Sequence, residues 1–258
     1  MTLGRLYLVP NTLDFGMDGQ TVDLREVLPD AVIAQAARLT HWAAENAKTT
    51  RAFLKRVDGV HPLALPLQQQ QILELPRPPK GRTPAPSASD DAAWQALLAP
   101  ALQGTDVGLM SEAGMPAVAD PGARLVAAAH AAGVPVIPLV GPSSLLLAVA
   151  ASGMNGQSFA FVGYLPTDGA ARQARLKELE AHSAREQQTQ LMIETPYRNS
   201  ALLQALIQQL KPGTVLSVSC GLSLADAWTH SAPVSQWKKS PKSVPDKVPA
   251  VFAFLAGR

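Results

Sequence analysis

Between Asp106 and Ser144 the chain twice repeats one local pattern: a short apolar run, a rigid loop, then a helical stretch. The first copy runs from Val107, Gly108, Leu109 and Met110 into Ser111–Gly122, a loop holding Glu112, Asp120, two glycines and two prolines, and on into the alanine-rich run from Ala123 to His130. The second runs from Val134–Val140 into Gly141-Pro142-Ser143-Ser144, followed by an apolar helix from Leu145. Strands alternating with helices at this spacing imply an α/β fold with a largely parallel sheet. In such sheets ligands sit outside the carboxyl ends of the strands, where these loops gather. Glycine lets backbone approach a ligand and proline holds a loop in one shape. By pattern alone, each loop is equally an ordinary strand-to-helix connection.

The rest of the chain extends the pattern. Leu6–Val9 reads as a first buried strand, Asp30 as the N-cap of a helix through Thr40, and Thr49–Val57 and Ala92–Leu102 as further helices. Residues 76–89, rich in proline, read as an excursion from the fold. Beyond Gly163-Tyr164-Leu165-Pro166 the texture changes to a charged helix over 170–188, strands at 190–194, 214–219 and 250–255, and a helix at 200–210. Two α/β domains follow, 1–140 and 141–258, with a ligand cleft expected between them.

Composition narrows the chemistry. The single cysteine, Cys220, excludes an intramolecular disulfide framework, and the five histidines lack ligand spacing, so no metal site is expected. There is no signal-type leader and no apolar run near the roughly 18 residues of a membrane span, which gives a cytoplasmic, non-membrane reading. No G-x-x-x-x-G-K-[ST], G-x-G-x-x-G after the first strand, or G-x-S-x-G occurs. What is left is backbone, small side chains and a few carboxylates, suited to a reaction whose cosubstrate carries the reactivity. Net charge is only +2, but Lys238, Lys239, Lys242 and Lys247 cluster near one end, and Arg77, Lys80 and Arg82 share the proline-rich stretch. Such clusters are phosphate contacts or simply solvated loops.

Ser111-Glu112-Ala113-Gly114-Met115-Pro116 with Ala119-Asp120-Pro121-Gly122 resembles the S-D-A-G-T-P…D-P-G loop of the tetrapyrrole-methylase superfamily of S-adenosylmethionine-dependent methyltransferases. The nearest likeness is to its branch that methylates a ribose 2′-hydroxyl of small-subunit ribosomal RNA. The stretch from Gly4 to Thr12, Ala44-Glu45-Asn46-Ala47-Lys48, Val140–Ser144, Gly163–Pro166 and Glu194-Thr195-Pro196-Tyr197-Arg198 are similar, in the same order, to that branch's G-x-L-Y-L-V-P-T-P, A-E-D-T-R, P-G-P-S/C-A, G-F-L-P and E-x-P-H-R segments. The resemblance implies a methyltransferase of two α/β domains, a homodimer, with the cosubstrate in the cleft. It places the cosubstrate against Pro10, the backbone of Ser111, Ala113, Gly114 and Met115, and Ser143 and Ser144, the serines serving equally as a helix N-cap. Met192, Leu222 and Ala250 fall where the family's second domain lines the adenosyl pocket, and core packing is the other role open to Met192 and Leu222. Glu45, Glu112 and Glu194 are the candidate proton acceptors and Lys48 the candidate cation.

The departures fall on the acceptor side. E-D-T-R becomes Glu45-Asn46-Ala47-Lys48, exchanging a forked guanidinium for a point charge. An H-x-x-N-E pattern is replaced by Leu67-Gln68-Gln69-Gln70-Gln71, and R-E-L-T by Cys220-Gly221-Leu222-Ser223. Two alternatives therefore stand beside ribose methylation: a methyltransferase acting on a tetrapyrrole or other small molecule, and a relative that binds S-adenosylmethionine or S-adenosylhomocysteine without catalysis.

Overall fold

The computed structural model describes residues 2–14, 22–76, 88–240 and 242–257, and for 88–91 the backbone alone. Residues 77–87, with Arg77, Lys80, Arg82 and most of the proline-rich excursion, lie outside the described residues. The chain divides into two compact units, Met1–Pro142 and Ser143–Arg258.

The first unit follows the order β1 (Leu6–Leu8), α1 (Leu24–Val27), α2 (Asp30–Arg38), β2 (His41–Ala44), α3 (Ala47–Asp58), β3 (Gln71–Glu74), α4 (Ala88–Leu97), α5 (Ala99–Leu102), β4 (Val107–Met110), α6 (Ala123–Ala131) and β5 (Val136–Pro138). Its strands form one sheet in the order β3-β2-β4-β1-β5, parallel throughout. Strand side chains alternate between the two faces, as the pleat requires. Tyr7, Trp42 and Met110 join Ile33 of α2 and Phe53 of α3 on one face. Leu6, Ala43, Val107 and Leu109 join Trp94 of α4, Ala101 of α5 and Leu125 of α6 on the other. The neighbouring strands β1 and β4 thus send their following helices to opposite faces, the arrangement that opens a crevice at their carboxyl ends.

Helix boundaries differ from the sequence pattern at α2, which ends at Arg38 rather than Thr40, at α3, which opens at Ala47 rather than Thr49 because Asn46 caps it, and over 92–102. Asp30 is the first helical residue rather than the N-cap, which is Pro29; its carboxylate lies 2.7 Å from His61 Nε2. The stretch 92–102 is two helices, because Pro100 sits in the opening turn of α5, where its missing N–H costs no helix bond.

The second unit contains α7 (Ser144–Ser152), β6 (Phe159–Phe161), α8 (Gly169–Glu186), β7 (Thr189–Ile193), α9 (Asn199–Gln209), β8 (Val215–Cys220), β9 (Trp228–Pro233), α10 (Val234–Lys239) and β10 (Ala250–Leu255). Its sheet runs β6-β7-β10-β8-β9, with only the β6–β7 pair parallel. Leu145, Ala148 and Val149 of α7 cover Leu191, Val251 and Ala253 on one face. Leu176, Leu203 and Trp237, from α8, α9 and α10, pack with Met192, Val218 and Phe252 on the other. Among the described residues no helix is long and apolar enough to cross a membrane.

Candidate active site

Three loops at the carboxyl edge of the first sheet are locked together, chiefly by main chain. The Asn11 N–H donates to the Gly114 carbonyl at 2.9 Å, the Gly114 N–H to the Thr12 carbonyl at 3.3 Å, and Asn11 Nδ2 to the Glu112 carbonyl at 2.8 Å. Gly114 has a φ of +67°, and a Cβ there would stand 3.1 Å from Leu13 and 3.4 Å from the Pro142 carbonyl. A Cβ on Gly141 would fall 2.3 Å from Pro10, so only glycine lets the loop after β5 lie on the loop after β1. Within Ser111–Gly122, Ala117 and Ala119 also hold left-handed backbone, each at φ 64°. Two alanines in that region store strain that the surrounding structure must hold, a feature that gathers at ligand-gripping loops.

The loop after β1 has a second brace. Asp14, almost fully buried, pairs with Arg56 of α3 at 3.2 Å and accepts from Thr12 Oγ1 at 2.9 Å, while Arg56 Nη1 donates to Thr12 Oγ1 at 3.2 Å.

Glu45 and Glu112 are linked here. Glu45 Oε2 accepts the Glu112 N–H at 2.9 Å, and Glu112 Oε1 accepts Asn46 Nδ2 at 2.7 Å. Asn46 also caps α3, its Oδ1 accepting from the N–H groups of Lys48 and Thr49. The helix cap thereby fixes the glutamate. Asp120 completes the group: burial first, then the charges of Glu45 and Glu112, push its carboxyl up to about 7. Lys48 lies exposed on the first turn of α3.

The remaining candidates separate by role. Pro10, Ser111, Ala113 and Gly114 are buried in the locked loops and Met115 is half-buried. Ser111 Oγ has no hydrogen-bond partner among the described residues, and Ser143, at the N-cap of α7, makes no side-chain capping bond. Ser144, also half-buried, opens α7. In the second unit Met192 and Ala250 are buried in the main core, and Leu222 is half-buried against the α7 cluster. Glu194 is committed to Arg198, 2.7 Å away. Sequence reasoning passed over three residues of the site: Asp120, Asn11 and Asn46. Asp120 lies in the quoted D-P-G segment, and Asn46 stands where the family's acid would be, immediately before a helix, which is the N-cap signature. Among the described residues no three His, Cys, Asp or Glu side chains gather as a metal site.

This geometry defines a class: an α/β protein whose loops at a sheet switch point are locked together chiefly through main chain, beside the carboxylates Glu45, Glu112 and Asp120. Residues 31–229 match the sequence profile of the tetrapyrrole (corrin/porphyrin) methylases, and the chain belongs to that family. It is 43% identical over 118 residues to the ribosomal RNA small subunit methyltransferase I of Micromonospora olivasterospora, a match covering 46% of this chain and 36% of that one. The enzyme of the same name from Mycobacterium bovis is 44% identical over 115 residues, covering 45% and 39%. The match thus spans less than half the length of these relatives. Among solved structures, uroporphyrin-III C-methyl transferase from Thermus thermophilus, complexed with S-adenyl homocysteine, shares the fold with a TM-score of 0.54 at 16% identity, covering 98% of this chain and 97% of that one.

Proposed function

We propose that this protein is an S-adenosylmethionine-dependent methyltransferase whose acceptor is a ribose 2′-hydroxyl of small-subunit ribosomal RNA. The observation that carries the reading is the pair of loops joined through Asn11 and Gly114, in the part of the chain that also carries the family's loop motif. The acceptor is drawn from the ribosomal RNA methyltransferases, similar at 43–44% over the matched segment, and not from the tetrapyrrole enzyme, which supports the fold alone.

The residues present fit the cosubstrate. Gly114 and Gly141 keep the loops close and free of side chains, and the buried Ser111 hydroxyl and the uncommitted Ser143 hydroxyl are available as polar contacts. Pro10 and the backbone of Ser111–Met115 would hold it in the first unit, while Ser143, Ser144, Met192, Leu222 and Ala250, the other positions that the resemblance assigns to it, belong to the second. When bound, the cosubstrate supplies a methyl group already activated by a sulfonium, so the chain needs no nucleophile. Its work is alignment and the exclusion of water, which account for roughly 7–11 kcal/mol of barrier in well-oriented systems. The acceptor hydroxyl must also lose a proton. Asp120, held near neutrality by burial and by Glu45 and Glu112, is matched to that step. Glu45 and Glu112 would brace the loop and tune Asp120, and Lys48, exposed on the first turn of α3, would steady developing negative charge on the acceptor.

The same reading includes a homodimer, supported by the resemblance and by Leu146 and Leu147, which α7 leaves exposed, and a cytoplasmic location, where such an acceptor is found. Mass spectrometry of ribosomal RNA from cells with and without the protein tests the activity. Loss of one ribose methyl group is the expected result. Unchanged RNA together with labelled methyl transfer to a small-molecule extract would replace the acceptor. Transfer to neither, despite binding of S-adenosylhomocysteine, would leave a binding protein.

A further inference from the structure

The segment Glu194-Thr195-Pro196-Tyr197-Arg198 takes no part in the locked loops of the first unit, yet it is built with care. After β7 the chain turns through Pro196–Arg198 into α9, and the turn leaves Tyr197 71% exposed. Its foundations are rigid. Glu194, almost fully buried, accepts from the Thr195 N–H and from Arg198 Nη2, both at 2.7 Å, and Arg198 Nε donates to Thr195 Oγ1 at 3.1 Å. The guanidinium lies 5.6 Å from the centre of the Tyr197 ring. A large ring presented to solvent on a braced turn is already ordered, so little freedom is lost when something stacks on it.

Cationic chain is tied to the foot of this turn. Fully buried Asn199 donates through Nδ2 to the Val248 carbonyl at 3.0 Å, and Ser200 Oγ to the Val244 carbonyl at 3.2 Å. The stretch 242–249 anchored in this way carries Lys242 and Lys247, both exposed. Lys242 Nζ lies 5.1 Å over the Trp228 ring, and Lys247 is held at φ 71°. The stretch that bears two members of the lysine cluster is therefore tied to Asn199 and Ser200, the residues two and three places after Tyr197.

We infer that this face of the second unit binds single-stranded RNA, with a nucleobase stacked on Tyr197 and phosphates held by Lys242 and Lys247. The inference rests on the RNA reading of the acceptor. Aromatic rings interleaved with cations are the usual means of holding a single strand without reading its sequence. A duplex keeps its bases stacked on one another and offers no free face to Tyr197, so the occupant is unpaired RNA.

The test is fluorescence anisotropy with a labelled single-stranded RNA of about 12 nucleotides, with calorimetric binding of S-adenosylhomocysteine measured on every variant to confirm folding. Tyr197→Ala is expected to weaken RNA binding about 5- to 150-fold, with Tyr197→Phe restoring it and S-adenosylhomocysteine binding unmoved. Lys242→Gln with Lys247→Gln is expected to reduce the slope of log affinity against log salt by about 0.7 for each phosphate no longer neutralised. Wild-type affinity in Tyr197→Ala, an unchanged salt slope in the double variant, or equal binding of a duplex of the same sequence would overturn the inference while leaving RNA as the acceptor. A wild-type protein that binds no RNA at low salt would remove the RNA reading and this surface with it.

Discussion

Asp120 is the residue at which stability and chemistry are set against each other. Its carboxyl is raised from an ordinary 3.8 to about 7, so the folded state holds a proton that the unfolded chain releases. Asp120's contribution to folding stability is then fully present below about pH 4 and is lost as the pH rises through about 7, where the folded protein must carry the charge. Asp120→Asn removes that cost. Urea unfolding should show the variant equal to wild type near pH 4 and more stable by about 1–2 kcal/mol at pH 8, a figure kept small because part of the carboxyl still meets solvent. Its methyl-transfer rate should fall by roughly 10²- to 10⁴-fold, since the proton acceptor is gone. In the wild type the rate should rise with pH through about 7. Glu112→Gln, which withdraws one of the two neighbouring charges, should move that rise to lower pH; a profile left in place would remove Asp120 from the proton transfer. The loop motif made Glu112 legible in the sequence as a candidate, but the importance of Asp120 was not, because it depends on burial and on two carboxylates distant or nearby in the chain that only folding brings to bear.

At the scale of elements, α3 is the joint between fold and site. Asn46 caps its first turn and at the same time donates to Glu112. Asn46→Ala should lower stability by about 1–2 kcal/mol through the missing cap, and the same variant should shift the pH profile by freeing Glu112. Thermal melts and rates on one preparation distinguish the two effects, and a profile identical to wild type would mean that Glu112 is fixed by other partners. The sheet depends on a similar close fit. Gly108 in β4 lies under the Trp42 ring, where a Cβ would come within 2.7 Å of two ring carbons, so Gly108→Ala should cost about 1–3 kcal/mol in overpacking. How legible these elements were follows from their surroundings. β10, apolar on both faces, is read correctly at 250–255 because nothing competes with the pattern. β2, His41-Trp42-Ala43-Ala44, shows no clear period, since small Ala43 and large Trp42 fill opposite faces of one sheet and only the facing helices explain their sizes. The sequence pattern joined α4 to α5 for a related reason: Pro100 is compatible with a helix in its first turn, and a break is visible only as backbone.

On the scale of the whole molecule, each unit closes its own core. Trp237, fully buried, belongs to a cluster made wholly of second-unit residues, and Trp42 to one made wholly of first-unit residues. Cores of this kind unfold as units, so Trp237→Ala, which removes about 3–5 kcal/mol of packing, should lower one calorimetric transition and leave a second near its original temperature. The proposed cosubstrate site supplies the assignment. Pro10 and Ser111–Met115, the first unit's share of the proposed contacts, are expected to retain S-adenosylhomocysteine on their own, which at about 100 times its dissociation constant stabilises that unit by about 2.7 kcal/mol. In the Trp237→Ala background the ligand should therefore move the upper transition. Gly114→Val, forced against Leu13 and the Pro142 carbonyl at a positive φ, should abolish the shift. If the ligand raised only the lower transition, and did so equally with valine at position 114, the first sheet's loops would not be where the methyl donor is held.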